Sequence, residues 1–342
     1  MILETIRAHN EHAYEWLVLL QNLKRSPATV DAYGRGLLQY FSFCKDYNII
    51  AAEATLQDIS VYVRWMQGDD AGSHDRSPLA NSTIHQRLTA IRLWYDHLLY
   101  QGVIETNPVP RSHYLYRQQQ YGNPSSPGRG LVRKLITLPV IPPTTEWENI
   151  LSCISKESLR NRLMFALSYY GALRRNELLG LHIHHFDIAG RLITIDASTS
   201  KSGRSRIVHY DSIAGKMLVH YLMQRKQIDS SSGALFLSTS NRNYGQPLSK
   251  WQWNKTIAAI AKKANARHFT PHTLRHLRLT HLAKAGWKLH EISSYAGHRH
   301  PDTTLVYLHL SGHELSQKIA LTVETMDQRL GQVLFPQDEK IA

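Results

Sequence analysis

The sequence predicts a mainly α-helical protein with a small β-sheet, divided into a helical N-terminal domain and a mixed α/β C-terminal domain. Three observations lead there. Apolar residues recur at helical spacing through the first third of the chain, a proline-rich basic stretch follows, and two short alternating segments around a Ser/Gly turn lie among helices in the remainder. At 342 residues the chain is too long for one small core and suits two domains.

The helical domain is expected over 1–106, with its bundle from about 11 to 105. Ser26-Pro27 supplies an N-cap and a proline at the first helical position, and Val30, Tyr33, Leu37, Leu38, Phe41 and Cys44 follow at helical spacing. Thr55 caps a helix carrying Ile59, Val61, Val63 and Met66. Ser82 or Thr83 caps a longer one with Ile84, Leu88, Ile91, Trp94, Leu98 and Leu99 on one side, and Gly102 ends it.

From 107 to 143 the character changes, because seven of the 13 prolines fall there. Gln118-Gln119-Gln120 and Ser125-Ser126-Pro127-Gly128 are poor core material, and Arg111, Arg117, Arg129, Arg133 and Lys134 make the stretch basic. It reads as an extended interdomain linker that either lies along a phosphate backbone or is a solvated spacer. The second domain, 144–342, opens with a helix through Leu159, Leu163, Met164 and Leu167, then a short one over Arg175–Leu181. Residues 191–196 alternate like a strand and 204–210 are a second candidate, with Ser200-Lys201-Ser202-Gly203 as the turn between them. Helices are expected at about 249–264, 272–285, 288–296 and 313–330.

Lys plus Arg outnumber Asp plus Glu 40 to 27, a formal surplus of +13 that suits a polyphosphate partner or simply a soluble basic protein. No run of apolar residues is long enough to span a bilayer, and MILETIRAHNEHAYEW has charges where a signal peptide needs an apolar stretch. Cys44 and Cys153 show neither disulfide nor metal spacing, which fits a reduced cytoplasm.

Five local features follow in order: Gly171-Ala-Leu-Arg174-Arg-Asn-Glu177, Lys201 in its turn, Pro271-His272-Thr-Leu-Arg275-His276, Gly297-His298, and Thr303-Thr304-Leu-Val-Tyr307. Moving a DNA strand requires this set of chemistries. Two arginines, Arg174 and Arg275, suit the non-bridging oxygens of a phosphodiester through forked, charge-assisted hydrogen bonds. Lys201 on a mobile hairpin suits protonation of the departing sugar oxygen. Tyr307 supplies a nucleophile for a covalent intermediate, and His272 and His298 either accept its proton or hydrogen-bond the phosphate. Glu177 orients a neighbour. Arg174 is chosen over Arg175 from its register with Glu177. The scheme requires no metal or other cofactor. His182, His184 and His185 cluster and His272 and His276 are four apart, but no carboxylate accompanies the latter pair and Arg275 lies between them.

These residues resemble the tyrosine recombinase (phage integrase) family, strongly over about 145–312. The family's first arginine segment matches Ala172 to Leu178, with Ala172 where glycine is common. Its hairpin lysine matches Lys201, its H-x-x-R segment His272 to Arg275, its G-H segment Gly297-His298 and its T-T-x-x-Y segment Thr303 to Tyr307. The resemblance implies a SAM-like core-binding domain at 1–106 and a catalytic domain at 144–342. It implies a site-specific recombinase of integrase or transposase type, acting on double-stranded DNA at specific sites. The strand would be cleaved through a 3′-phosphotyrosyl intermediate and exchanged through a Holliday junction, without ATP or metal, by a homotetramer on two duplexes. The segment from Gly312 to about Leu330 would dock on a neighbouring protomer or on its own domain. A mobile-element enzyme of the cytoplasm, associated with the nucleoid, is the expectation. Arg87, Arg92 and the linker cations Arg111, Arg117, Arg129, Arg133 and Lys134 are the candidate DNA contacts. The competing readings are a type IB topoisomerase, a non-catalytic DNA-binding protein and a metal-dependent nuclease.

Overall fold

The computed structural model describes residues 2–69, 77–109, 131–132, 139–200, 203–299 and 302–311, the last stretch with side chains only at 303–307. The expected helix at 313–330, Lys201, Arg111, Arg117, Arg129, Arg133 and Lys134 lie outside the described residues. Contacts divide the chain into two compact units, Met1–Thr137 and Leu138–Ala342.

The first unit contains α1 (Ile2–Arg7), α2 (Glu11–Asn22), α3 (Pro27–Asp46), α4 (Leu56–Gln67) and α5 (Asn81–Tyr100). Local chemistry sets most of the ends. Ser26 Oγ accepts from the Thr29 amide at 3.2 Å, with Pro27 at the first helical position. Thr55 and Asp58 form a reciprocal capping box at the start of α4. Thr55→Ala is expected to lower the unit's stability by about 1 kcal/mol, read as a reduced midpoint in urea unfolding. Neither Ser82 nor Thr83 caps α5, which begins at Asn81 after an uncapped Ala80. The chain is instead held there by the Leu79 amide donating to Met66 O at 2.9 Å. Gly102 takes φ +69° just beyond the helix, the left-handed turn that a glycine enters without steric cost.

The core of this unit is aromatic: Tyr40, Phe41, Phe43, Tyr62, Trp65, Trp94 and Tyr95 are buried together. Two of its hydroxyls pair with each other, since those of Tyr40 and Tyr95 meet at 2.6 Å, and Tyr95 donates to Ala51 O. α1 was not expected from the sequence. It closes on α3 at Gly34, where an added Cβ would stand 2.8 Å from Ile2. Two described stretches of the region read as a linker, 107–109 and 131–132, pack within this unit, and its last residues, 139–143, belong to the second. Val109 and Val132 are buried in the aromatic core, and Asn107 bridges Arg92 O, Asp96 and the Val109 amide. Arg87 and Arg92 are half-buried on α5.

The second unit is helical around a three-stranded antiparallel sheet in the order β1 (Phe186–Asp187), β2 (Leu192–Ile195), β3 (Arg206–His209). Its helices are α6 (Thr144–Ser155), α7 (Leu159–Tyr170), α8 (Arg175–Leu179), α9 (Ser212–Arg225), α10 (Lys250–Lys263), α11 (Pro271–Lys284), α12 (Leu289–Ala296) and α13 (Asp302–Ser311). Ile193 and Ile195 of β2 and Val208 of β3 face one core with α7, α9 and α10, while Thr194 and Ile207 face out, the two-residue alternation expected of a half-buried sheet. A smaller cluster joins Ala172, Leu279, Leu282, Ala283, Ile292, Ala296 and Tyr307, so α13 lies against α11 and α12 of its own chain. Among the described residues no helix is long and apolar enough to cross a membrane.

Candidate active site

α7 ends at Tyr170, and Ala172 turns the chain with φ +46°. That left-handed conformation costs a residue with a Cβ about 1 kcal/mol. It is tied to the site, because Arg275 Nη1 donates to Ala172 O at 2.6 Å. Arg275 rises from α11, whose start is fixed by the Thr270 cap and Pro271. Its Nη2 donates to Ala296 O at 2.6 Å, and the residue is 1 % exposed. Burial first, then Arg174, lowers its pKa to about 9, so it stays charged at neutral pH.

Arg174 stands immediately before α8. Its amide donates to Glu177 Oε2 and its Nη1 to Oε1, both at 2.8 Å, and its Nη2 reaches Gly297 O at 3.1 Å. The two guanidiniums therefore grip consecutive carbonyls at the C-terminus of α12, the end where a helix presents partial negative charge. Arg175 points elsewhere, exposed and donating to Asn254.

Glu177 is buried between two cations. Arg206 of β3 donates to its Oε1 at 3.0 Å and its Oε2 at 2.8 Å, and also to Tyr295 O at 3.0 Å. Burial alone would raise the Glu177 carboxyl. The hydrogen bonds and charge of Arg206, with those of Arg174, outweigh it and hold the group down to about 2. Three guanidiniums around one carboxylate leave the site with a surplus of positive charge. Beside it opens a cleft of about 370 Å³ lined by Arg204, Arg206, Ser293, His290, His298 and Arg299 among others, with no carboxylate among the described residues of its walls.

Tyr307 is 2 % exposed on α13. Burial raises its phenol above the ordinary value, while the charges of Arg275 and Arg174 pull it down in part. His276 Nδ1 meets its hydroxyl at 2.8 Å. His298 lies flat against the phenol ring, 9° between planes at 6.2 Å, with its Nδ1 bonded to Thr304 Oγ1 at 2.8 Å. Burial, then Arg275 and Arg174, brings His298 down to about 3. His272 is exposed one turn before His276, the two rings edge to face at 4.4 Å.

The structure thus gathers Arg174, Glu177, Arg275, His298 and Tyr307 into one cluster with His272 at its edge. Lys201 belongs to the connection between β2 and β3, outside the described residues. Two members were missed in the sequence. Arg206 carried a signal, since it shares the inward face of β3 with Val208 and a charge on that face needs a partner. His276, next to Arg275, shows in the sequence only its four-residue spacing from His272. Among the described residues the Tyr307 hydroxyl is hydrogen-bonded to His276 rather than to His272 or His298. His185 Nε2 pairs with Asp196 at 2.9 Å, and among the described residues no group of three His, Cys, Asp or Glu side chains is placed to hold a metal ion.

Comparisons with known proteins agree with this geometry. Residues 143–314 match the phage integrase family. Tyrosine recombinase XerC of Pelobacter propionicus is 30% identical over 315 residues, covering 91% of this chain and 92% of that protein. Among solved structures, the Tn1549 transposon integrase in complex with transposon right end DNA superposes with a TM-score of 0.62 at 17% identity, covering 89% of this chain and 98% of that one. XerH site-specific recombinase bound to palindromic difH substrate gives 0.59 at 20% identity, over 85% of this chain and 79% of that one. Family match, relatives and fold coincide with the arginine and tyrosine cluster: the chain belongs to the phage integrase family and is a tyrosine site-specific recombinase.

Proposed function

We propose that this recombinase cuts double-stranded DNA at specific sites by attack of Tyr307 on the scissile phosphate, giving a 3′-phosphotyrosyl bond and a free 5′-hydroxyl. The reading rests on one observation, the burial of the Tyr307 phenol where the charges of Arg275 and Arg174 both act on it. Arg174 and Arg275 take the non-bridging oxygens, where charge concentrates in the transition state. Glu177 holds Arg174 in register, and His272 and His298 line the phosphate. Lys201 protonates the departing 5′-oxygen. The covalent bond keeps the phosphodiester's energy, so rejoining to a second strand needs no ATP.

The phenol and Arg275 are closed to solvent in the free protein, so α13 must yield as the phosphate enters. The basic cleft beside His298 suits the continuing DNA backbone. The helical first unit supplies the core-binding surface, with Arg87 and Arg92 on α5 as contacts and Arg111, Arg117, Arg129, Arg133 and Lys134 along the connecting segment. Four copies on two duplexes exchange strands through a Holliday junction.

A nicked suicide duplex, on which the cut fragment diffuses away, tests the assignment. Wild-type protein is expected to give a covalent adduct on a denaturing gel. Tyr307→Phe is expected to give none while shifting the same DNA in a native gel. An adduct on Tyr307→Phe would remove Tyr307 as the nucleophile.

A further inference from the structure

We propose that His276 is the proton acceptor for Tyr307 in strand cleavage, a role that rests on Tyr307 being the nucleophile. Among the described residues two histidines, His276 and His298, touch the phenol and His272 stands against His276, and their geometry separates them. His298 stacks on the ring, and its Nδ1 is engaged with Thr304 Oγ1. His272 is exposed at the start of α11, edge to face with His276. His276, one turn deeper, is the histidine bonded to the reacting oxygen, at 2.8 Å through Nδ1. That distance is what a general base requires, with Nδ1 as the unprotonated nitrogen of the ring.

Burial first, then His272 and Arg275, holds the His276 imidazole down to about 4. It is therefore neutral at pH 7 and has a lone pair to offer. The groups facing it are His272 and Arg275 on its own helix, Tyr307 from α13, and His298 after α12. So weak a base does not ionise the phenol unaided, and the substrate changes this. A phosphodiester anion taken up by Arg174 and Arg275 offsets the cations that depress His276, raising its proton affinity as the phosphorus arrives. The phenol O–H bond then breaks, with its proton passing to Nδ1 and the Oη–P bond forming. The P–O5′ bond breaks, and the leaving oxygen takes a proton from Lys201. Rejoining reverses each transfer, so protons and charge balance over the cycle.

Single-turnover cleavage of the nicked duplex tests this, with either a normal scissile phosphate or a 5′-bridging phosphorothiolate whose sulfur leaves without an acid. His276→Phe is expected to cleave at least about a hundredfold more slowly on both substrates with unchanged DNA affinity. A Lys201→Ala defect is expected to vanish on the sulfur substrate. His276→Asn keeps an acceptor near the Nδ1 position but cannot take the proton at neutral pH. Its rate is expected to stay well below wild type and to climb with pH as the phenol ionises unaided. Wild-type rates in His276→Asn, or faster cleavage in His276→Phe through release of a parked tyrosine, would overturn the proposal. Tyr307→Phe in parallel separates the two readings. No adduct there with unimpaired His276 variants removes His276 alone, whereas an adduct on Tyr307→Phe removes the nucleophile as well.

Discussion

Arg275→Ala is expected to reduce strand cleavage by on the order of a hundredfold or more and to weaken the fold at the same time. The side chain is fully buried and gives its two terminal nitrogens to Ala172 O and Ala296 O. Truncation leaves both carbonyls without a donor in a dry cluster, a loss of about 2–4 kcal/mol. Arg275→Lys separates the two effects. It keeps one positive charge but loses the planar fork that spans both carbonyls while presenting further N–H groups to a phosphate. Its cleavage is expected to remain on the order of a hundredfold down, with a smaller loss of stability, as read by single-turnover assays beside thermal unfolding. Cleavage near the wild-type rate in Arg275→Lys would show that charge alone suffices there.

Glu177→Gln carries the second large effect. The carboxylate accepts from the Arg174 amide, from the Arg174 guanidinium and from two nitrogens of Arg206. An amide has one acceptor oxygen and turns its NH₂ toward a cation. Two buried guanidiniums would lose their shared anion, at a cost of about 3–5 kcal/mol. The pH dependence follows from the carboxyl's folded value of about 2 against an ordinary 4.5. A depressed value means stabilisation that is complete above the unfolded pKa and is lost as pH falls through the folded one. The contribution is on the order of 3 kcal/mol. His276 and His298, held down to about 4 and 3, also destabilise the fold as pH drops below their ordinary 6.5, because the unfolded chain protonates first. Denaturant unfolding of wild type and Glu177→Gln side by side subtracts that background. The gap between them is expected to be constant from neutral pH to about 4.5 and to narrow toward 2. An undiminished gap at low pH would contradict the ion-pair account.

What could be read from the sequence was local. Ser26-Pro27 and Thr55 with Asp58 fix helix starts through neighbours three residues away, so their chemistry is written in adjacent letters. The strands 192–195 and 206–209 show in two-residue alternation. α1 and β1 do not, because six and two residues are too few to display a period. Arg174, Arg275 and Tyr307 stood out through segment motifs. Their hydrogen-bond partners did not, since Arg206 meets Glu177 across 29 positions and His276 meets Tyr307 across 31. Such pairs depend on how β3 and α13 come to rest against α8 and α11, and no spacing rule encodes that. The packing of Val109 and Val132 was hidden for a related reason. Prolines and glutamines dominate that stretch, and isolated valines among them give no pattern.

α13 rests on α11 and α12 of the same polypeptide, with Tyr307 already beside Arg275. One chain thus carries both the phenol and the guanidiniums that the proposed cleavage uses. If Tyr307 is the nucleophile, disabling one copy in an assembly of several is expected to silence one strand while its neighbours keep their chemistry.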